Sequence, residues 1–286
     1  MTNQKYLGGP GALLAGPQQG SLSFKDFASA PAYQELNSNF VESVLTGRVV
    51  DSVVDLGCGP GLVTQLIASH VRDGASITGV DPSRSALKMA EKNLERFENV
   101  RKSFVQGTAE DLPRLVGQPV DAIFFLNAIH QIDDKAKVIQ DIAGALNPGG
   151  VFAFNSAFFH ADESEEMRAF YKVWMFRALK LLAKRHGISR LKRKVASRAG
   201  LTVAEYRDLL QGAGLRAAEL RVVKVDLNLE AALALSRFKD FISGTLPGVP
   251  LQVGREVLEE AVERTYESLS LRAVTRNWLL AVAERP

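Results

Sequence analysis

Residues 53–61 read VVDLGCGPG, a short β-branched and apolar run that carries an acid, Asp55, and breaks into a turn with glycine at 57, 59 and 61. An amphipathic stretch, LVTQLIASHV, follows at once, so the pattern is strand, glycine turn, helix. A dinucleotide-binding turn is spaced G-x-G-x-x-G with an acid about 20 residues further on. Here the spacing is G-x-G-x-G, led by Asp55, and Leu62 stands where the third glycine would be. Such a turn serves either as a plain connection or as a ligand cradle, and the rest of the chain has to decide between them.

Working outward, SVVDLG, SITGVD, KSFVQG, VDAIFFLN and GVFAFNS are strand-like runs separated by segments of helical period. That alternation is the rhythm of a parallel sheet with crossover helices. The helix in DDKAKVIQDIAGALNPGG is expected to stop at Asn147-Pro148-Gly149-Gly150, where proline cannot continue it. TVAEYRDLLQGAGL opens with Thr202 and Glu205 at capping-box spacing. RAAELRVVKVDLNL then reads as a strand, two helical stretches follow, and TRNWLLAVAERP reads as the last strand. Before the sheet, YQELNSNFVESVL is helical in pattern, preceded by GGPGALLAGPQQG, which is expected to be mobile. The expected organisation is an N-terminal mobile and helical segment, 1–50, and one main domain, 51–286, with a helical insertion at 162–200.

A chain of 286 residues with 46% hydrophobic and 23% charged residues can bury one sizeable core. No apolar run approaches the roughly 18 residues of a membrane-spanning helix. MTNQKYLGGPGALLAG lacks the basic start and apolar length of a signal peptide, so a soluble, cytoplasmic protein is expected. The single cysteine, Cys58, excludes an internal disulfide framework, a cysteine-built zinc site and a three-cysteine iron–sulfur cluster with its radical chemistry. His160 with Asp162 and Glu163 is too loosely spaced to ligate a metal, and none is expected. The net charge of +3 is unevenly spread. From Met167 to Ala204 there is no acid and there are eleven Lys and Arg residues; removing these eleven leaves the rest of the chain at −8.

Further blocks bear on the turn. Asp81 ends the second strand-like run in ITGVDPS, where a carboxylate can accept hydrogen bonds from both ribose hydroxyls of an adenosine-containing ligand. QGTAEDLP (106–113) follows the third run, VDAIFFLNAIH (120–130) makes the fourth, and LNPGGVFAF (146–154) turns into the fifth. With these blocks in this order, Val53 to Phe154 plus the closing WLLAVAERP resembles the class I S-adenosylmethionine-dependent methyltransferases, in particular the quinone-biosynthesis and small-molecule branch. The resemblance implies a Rossmann-like α/β fold, a seven-stranded, mostly parallel sheet with flanking helices and an antiparallel last strand, and S-adenosyl-L-methionine as cofactor. By that likeness Asp55, Gly57, Gly59 and Gly61 lie against the methionine part of the cofactor and Asp81 holds the ribose. Ala109 and Glu110 sit beside the adenine, and Asn127 lies near the sulfonium. Many relatives carry an acid where this chain has Thr108, which leaves Glu110 or Asp111 to receive the adenine amino group unless both are solvated helix-start acids. An acid-led turn suits such a ligand, which has no phosphates and carries an ammonium that needs carboxylate and carbonyl acceptors.

Transfer from a sulfonium to an acceptor needs positioning, and a base only when the acceptor carries a proton. His130, directly after the fourth run, is the first candidate for a base or acceptor-orienting group, with a structural histidine as the alternative. Asn155 and His160 follow the fifth run, where they line an acceptor pocket or merely turn the chain. A helix begun by Asp162 and Glu165 would carry Met167, Phe170, Tyr171, Trp174, Met175 and Ala178 on one face. As a lid it would present Phe170 and Trp174 to a hydrophobic or anionic acceptor, and its basic residues, 168–198, to a carrier protein or anionic surface. A packed cap with solvated lysines is the alternative, and nucleic acid ranks last among partners. Two functions remain open. One is methylation of oxygen, nitrogen or carbon of a small-molecule acceptor; the other is a scaffold using the same cofactor structurally or for a cyclisation or isomerisation.

Overall fold

The computed structural model describes residues 31–159, 164–191 and 200–286. The strand-like runs become β1 (Ser52–Leu56), β2 (Ser76–Asp81), β3 (Arg101–Gln106), β4 (Val120–Leu126) and β5 (Leu146–Ser156), followed by β6 (Arg216–Asn228) and β7 (Ala273–Glu284). They form a seven-stranded sheet in the order β3-β2-β1-β4-β5-β7-β6. β1 to β5 are mutually parallel where they pair, and β7 inserts antiparallel to both β5 and β6. The central strands are rich in valine, isoleucine and phenylalanine because both of their faces are covered.

Period-two alternation divides the core. Val53 of β1 and Ala122, Phe124 and Leu126 of β4 face one helical layer; Val54, Leu56, Ile123 and Phe125 face the other. The first layer contains α1 (Pro31–Leu45), α2 (Leu62–His70), α6 (Glu165–His186), α8 (Leu229–Arg237), α9 (Lys239–Thr245) and α10 (Leu251–Ser268). The second contains α4 (Leu112–Leu115), α5 (Lys135–Ala145) and α7 (Val203–Gly212). α3 (Arg84–Asn93) connects β2 to β3. From β1 the chain builds outward to β2 and β3, then crosses to β4 on the other side. The sheet therefore has its switch point between β1 and β4, and a crevice opens at their C-terminal ends.

Several boundaries differ from the sequence reading, each for a local reason. α5 stops at Ala145, and the Asn147–Gly150 run is taken into β5, with Gly149 in a left-handed conformation at φ 79°. Three helices, α8 to α10, occupy the stretch read as two. α6 starts at Glu165 because the hydroxyl of Ser164 accepts the Met167 N–H at 3.1 Å, and so Ser164 is the cap; Asp162 lies outside the described residues. The Thr202–Glu205 capping box forms as read. Residues 1–30 and 192–199, which hold the expected mobile segment and part of the basic run, also lie outside the described residues. No helix among the described residues is long and apolar enough to cross a membrane.

Candidate active site

β1 delivers Asp55 and then the turn. Gly57, Gly59 and Gly61 have φ of 65°, 53° and 83°, a conformation that costs other residues dearly. Two N–H groups tie the turn to β2: that of Cys58 donates to Val80 O at 3.0 Å, and that of Gly59 donates to the side-chain Oδ2 of Asp81 at 2.9 Å. Asp81 Oδ1 accepts the Ser83 N–H at 2.8 Å. Two backbone donors thus orient the Asp81 carboxylate at the strand end, where it is placed as an acceptor for hydroxyls.

Asp55 is buried, and its Oδ2 accepts the Thr64 hydroxyl of α2 at 2.6 Å. Burial pushes its pKa up to about 7, against the lowering effect of the Thr64 bond, and the nearby Asp81 charge adds to the rise. A cation in the crevice would favour the ionised form. Burial, reinforced by Asp55 and Asp81, pushes the Cys58 thiol far above its ordinary range, so Cys58 is a packed thiol and no nucleophile.

β4 ends at Leu126, and Asn127 turns out of it with φ 59°. Its N–H donates to Asn155 Oδ1 at 2.8 Å, and Asn155, fully buried on β5, donates through Nδ2 to Asn37 Oδ1 of α1 at 2.8 Å. Asn127 Nδ2 reaches the same Asn37 oxygen at 3.5 Å, while Asn127 Oδ1 is buried with no hydrogen-bond partner. A cavity of about 510 Å3 opens here, lined by Gly57, Cys58 and Gly59 of the turn, Leu126 and Asn127 of β4, Asn37 and Ser38 of α1, and Leu62 and Leu66 of α2.

The remaining candidates do not line this cavity. Ala109 is buried and Glu110 exposed on the short 3-10 turn after β3. Thr108 caps that turn with Asp111, whose carboxylate accepts the Thr108 N–H (3.0 Å) and the Arg114 guanidinium (3.1 Å). The Thr108 N–H, followed by Arg114, holds Asp111 below the usual carboxylate range. Of the two acids considered for an adenine amino group, Glu110 is therefore the exposed one. His130, buried, packs at a tilt against Phe158 with ring centroids 4.4 Å apart and has Nδ1 3.4 Å from Ser156 Oγ.

Asn155 faces the asparagine network and not an acceptor pocket. The structure also places Phe170 and Trp174 inside the core. Trp174 donates from Nε1 to Leu258 O at 3.0 Å and stacks on Phe241, and Phe170 packs edge-on to Tyr266. α6 lies along α10 as a packed layer, and its apolar stripe lines no described cavity near the glycine turn. His160 lies outside the described residues. Sequence reasoning missed Asn37 and Thr64. For Asn37 a signal existed: it occupies the same helical stripe as Phe40, Val41 and Val44, all buried, and a polar residue on such a stripe needs a partner.

The methyltransferase domain family matches residues 50–200 of this sequence, more than half of it. The chain belongs to that family. Ubiquinone biosynthesis O-methyltransferase of Nitrosomonas europaea is 32% identical over 124 residues, 42% of this chain and 50% of the relative. The chain thus spans about half the length of the curated relatives it matches. Among solved structures, the YcgJ protein of Bacillus subtilis superposes with a TM-score of 0.53 at 16% identity, covering 88% of this chain and 98% of that one. The [4+2]-cyclase SpnF superposes with a TM-score of 0.54 at 16% identity, covering 89% and 83%. These two likenesses show a fold shared over most of the chain, and nothing about chemistry.

The crevice fits the cofactor that the resemblance implies. It offers an acid-led glycine turn, an oriented carboxylate at the end of β2, and a buried oxygen on Asn127 that lacks a donor.

Proposed function

We propose that this member of the methyltransferase domain family transfers a methyl group from S-adenosyl-L-methionine to oxygen, nitrogen or carbon of a small, hydrophobic or anionic metabolite. One observation carries the reading: the left-handed glycine turn, pinned to Asp81, opens on a cavity that ends at the unpartnered Asn127 Oδ1. Gly57 and Gly59 give the ligand close backbone approach, Asp81 takes the ribose hydroxyls, and Asn127 Oδ1 takes the ammonium. Bound there, the cofactor supplies a methyl carbon already activated by its sulfonium.

The chain's own work is positioning and, for a protic acceptor, removal of a proton. Ser156 Oγ accepts the Phe158 N–H at 2.9 Å and donates to Phe158 O at 3.3 Å. In that arrangement His130 Nδ1–H donates to Ser156 Oγ, and Nε2 carries the basic lone pair. Packing on Phe158 fixes the ring plane. His130 is the base we assign, and the acceptor lies beside it beyond the ends of β4 and β5.

Incubation with S-adenosylmethionine and a panel of phenols, amines and carboxylates tests the reading by mass spectrometry. S-adenosylhomocysteine should appear in step with a product heavier by one methylene; turnover that consumes no cofactor would contradict methyl transfer. With a phenolic acceptor, His130→Gln should lower kcat by about 10²-fold or more while S-adenosylhomocysteine affinity stays unchanged.

The basic face of α6 is the partner surface we assign. Lys172, Phe176, Lys180 and Lys184 line an open groove against Arg264 of α10, a surface suited to an acidic carrier protein that presents the acceptor.

A further inference from the structure

Asn37 lies 90 residues before Asn127 in sequence, on a helix outside the matched family segment. Among the described residues it makes no hydrogen bond to the glycine turn, and its partners lie at the ends of β4 and β5. Yet it is 5% exposed and Asn155 is wholly buried, so both amides must be satisfied within the protein.

The polarity of the three amides follows from a single backbone group. The Asn127 N–H can only donate, so Asn155 must present its oxygen to it, and does so at 2.8 Å. The Asn155 NH2 then faces Asn37, which must in turn present an oxygen, at 2.8 Å. That oxygen draws the Asn127 NH2 toward it, at 3.5 Å, the long limit of a hydrogen bond. What is left over is Asn127 Oδ1, an acceptor with no partner, on a residue that lines the cavity. Reversing Asn155 or Asn37 would set donor against donor, and reversing Asn127 would set its oxygen against the Asn37 oxygen. The chain of amides therefore ends in an acceptor, and only a donor supplied from the cavity completes it.

We propose that Asn37 is a positioning residue that polarises the crevice for the ammonium end of the cofactor: through Asn155 it holds Asn127 in its left-handed conformation, and a donor on Asn127 Oδ1 tightens α1 onto the end of β4. The proposal rests on the cofactor reading above. Without the Asn37 oxygen, nothing fixes which end of the Asn155 amide meets the Asn127 N–H. Asn127 then loses both its backbone acceptor and its orientation. The effect is confined to the ligand's ammonium end, because Asp81 and the Gly59 N–H sit on the opposite flank of the turn.

The test compares two nucleosides that share adenosine and sulfur but differ in the amino-acid part: S-adenosylhomocysteine and 5′-methylthioadenosine. Calorimetric titration of full-length wild type, Asn37→Leu and Asn37→Asp is expected to show tenfold or greater loss of S-adenosylhomocysteine affinity in the leucine variant. Loss for methylthioadenosine should be less than threefold. The aspartate variant, which keeps an acceptor for Asn155 Nδ2, should recover most of the affinity. Hydrogen exchange of residues 31–45 should slow on addition of S-adenosylhomocysteine in wild type and in Asn37→Asp. Equal loss of both nucleosides, or none, in a folded leucine variant would overturn the proposal. So would unchanged exchange in wild type that binds the ligand, a measurement that stands even if the leucine variant does not fold. Failure of wild type to bind either nucleoside would instead overturn the cofactor reading on which the proposal rests.

Discussion

At the scale of single residues, Asp55 shows how one buried carboxyl ties stability to the site's chemistry. Its pKa in the folded chain is about 7, against an ordinary value near 4 when unfolded. The folded state therefore holds the proton after the unfolded state has released it. The stability contributed by Asp55 is intact below about pH 4, falls as pH rises toward 7 and is level above that. Asp55→Asn keeps the shape and an acceptor for Thr64 but removes the titration. In urea unfolding of ligand-free protein, the stability difference between variant and wild type should move in the variant's favour by roughly 2–3 kcal/mol between pH 5 and pH 8. A constant difference would show that Asp55 is ionised throughout. The sequence marks Asp55 as the acid leading the turn, but its partner Thr64 becomes visible only once α2 folds back across the end of β1.

At the scale of elements, the turn and α6 teach opposite lessons about what local sequence determines. The turn was legible because its requirements are local: three left-handed residues within five positions admit little but glycine. Their roles nonetheless differ. A Cβ on Gly61 would meet Leu94 Cδ1 at 2.8 Å and Ala90 Cβ at 3.0 Å, whereas one on Gly59 would meet nothing within 4 Å. Gly61→Ala should therefore destabilise the fold by about 2–4 kcal/mol through strain and overpacking. Gly59→Ala, with backbone strain alone, should cost about 1 kcal/mol and act mainly on cofactor affinity. Thermal denaturation alongside nucleoside titration separates the two, and the reverse ranking would contradict the assignment. α6 was legible as an amphipathic helix, but periodicity cannot say what its apolar face meets. That face packs on α9 and α10, with Trp174 satisfied by a carbonyl of α10. The Phe170 and Trp174 that suggested an acceptor pocket are core residues for that reason. The partner of Asn37 was hidden in the same way, because the pattern of α1 puts a polar residue on a buried stripe but does not announce the neighbour, Asn155, that it finds on β5.

At the scale of the whole molecule, the order β3-β2-β1-β4-β5-β7-β6 gathers residues far apart in sequence at one edge of the sheet. Asp55, Asp81, Asn127, His130 and Asn155 all lie at or just beyond the C-terminal ends of β1, β2, β4 and β5. This gathering was foreseeable, since each follows a strand-like run in a parallel arrangement. The proposed division of the ends into a cofactor flank and an acceptor flank was not, because it draws on Asn37 of α1, which reaches Asn155 and Asn127 only in the fold. Calorimetric titration decides whether the crevice takes a sulfur nucleoside or a nicotinamide nucleotide. The ligand-free protein is titrated with S-adenosylmethionine, S-adenosylhomocysteine and NADH, and the series is repeated on Asp81→Ala. Binding of the two sulfur nucleosides alone is expected, weakened tenfold or more in the variant, about 1.4 kcal/mol. Binding of NADH, or of nothing by folded wild-type protein, would contradict that expectation.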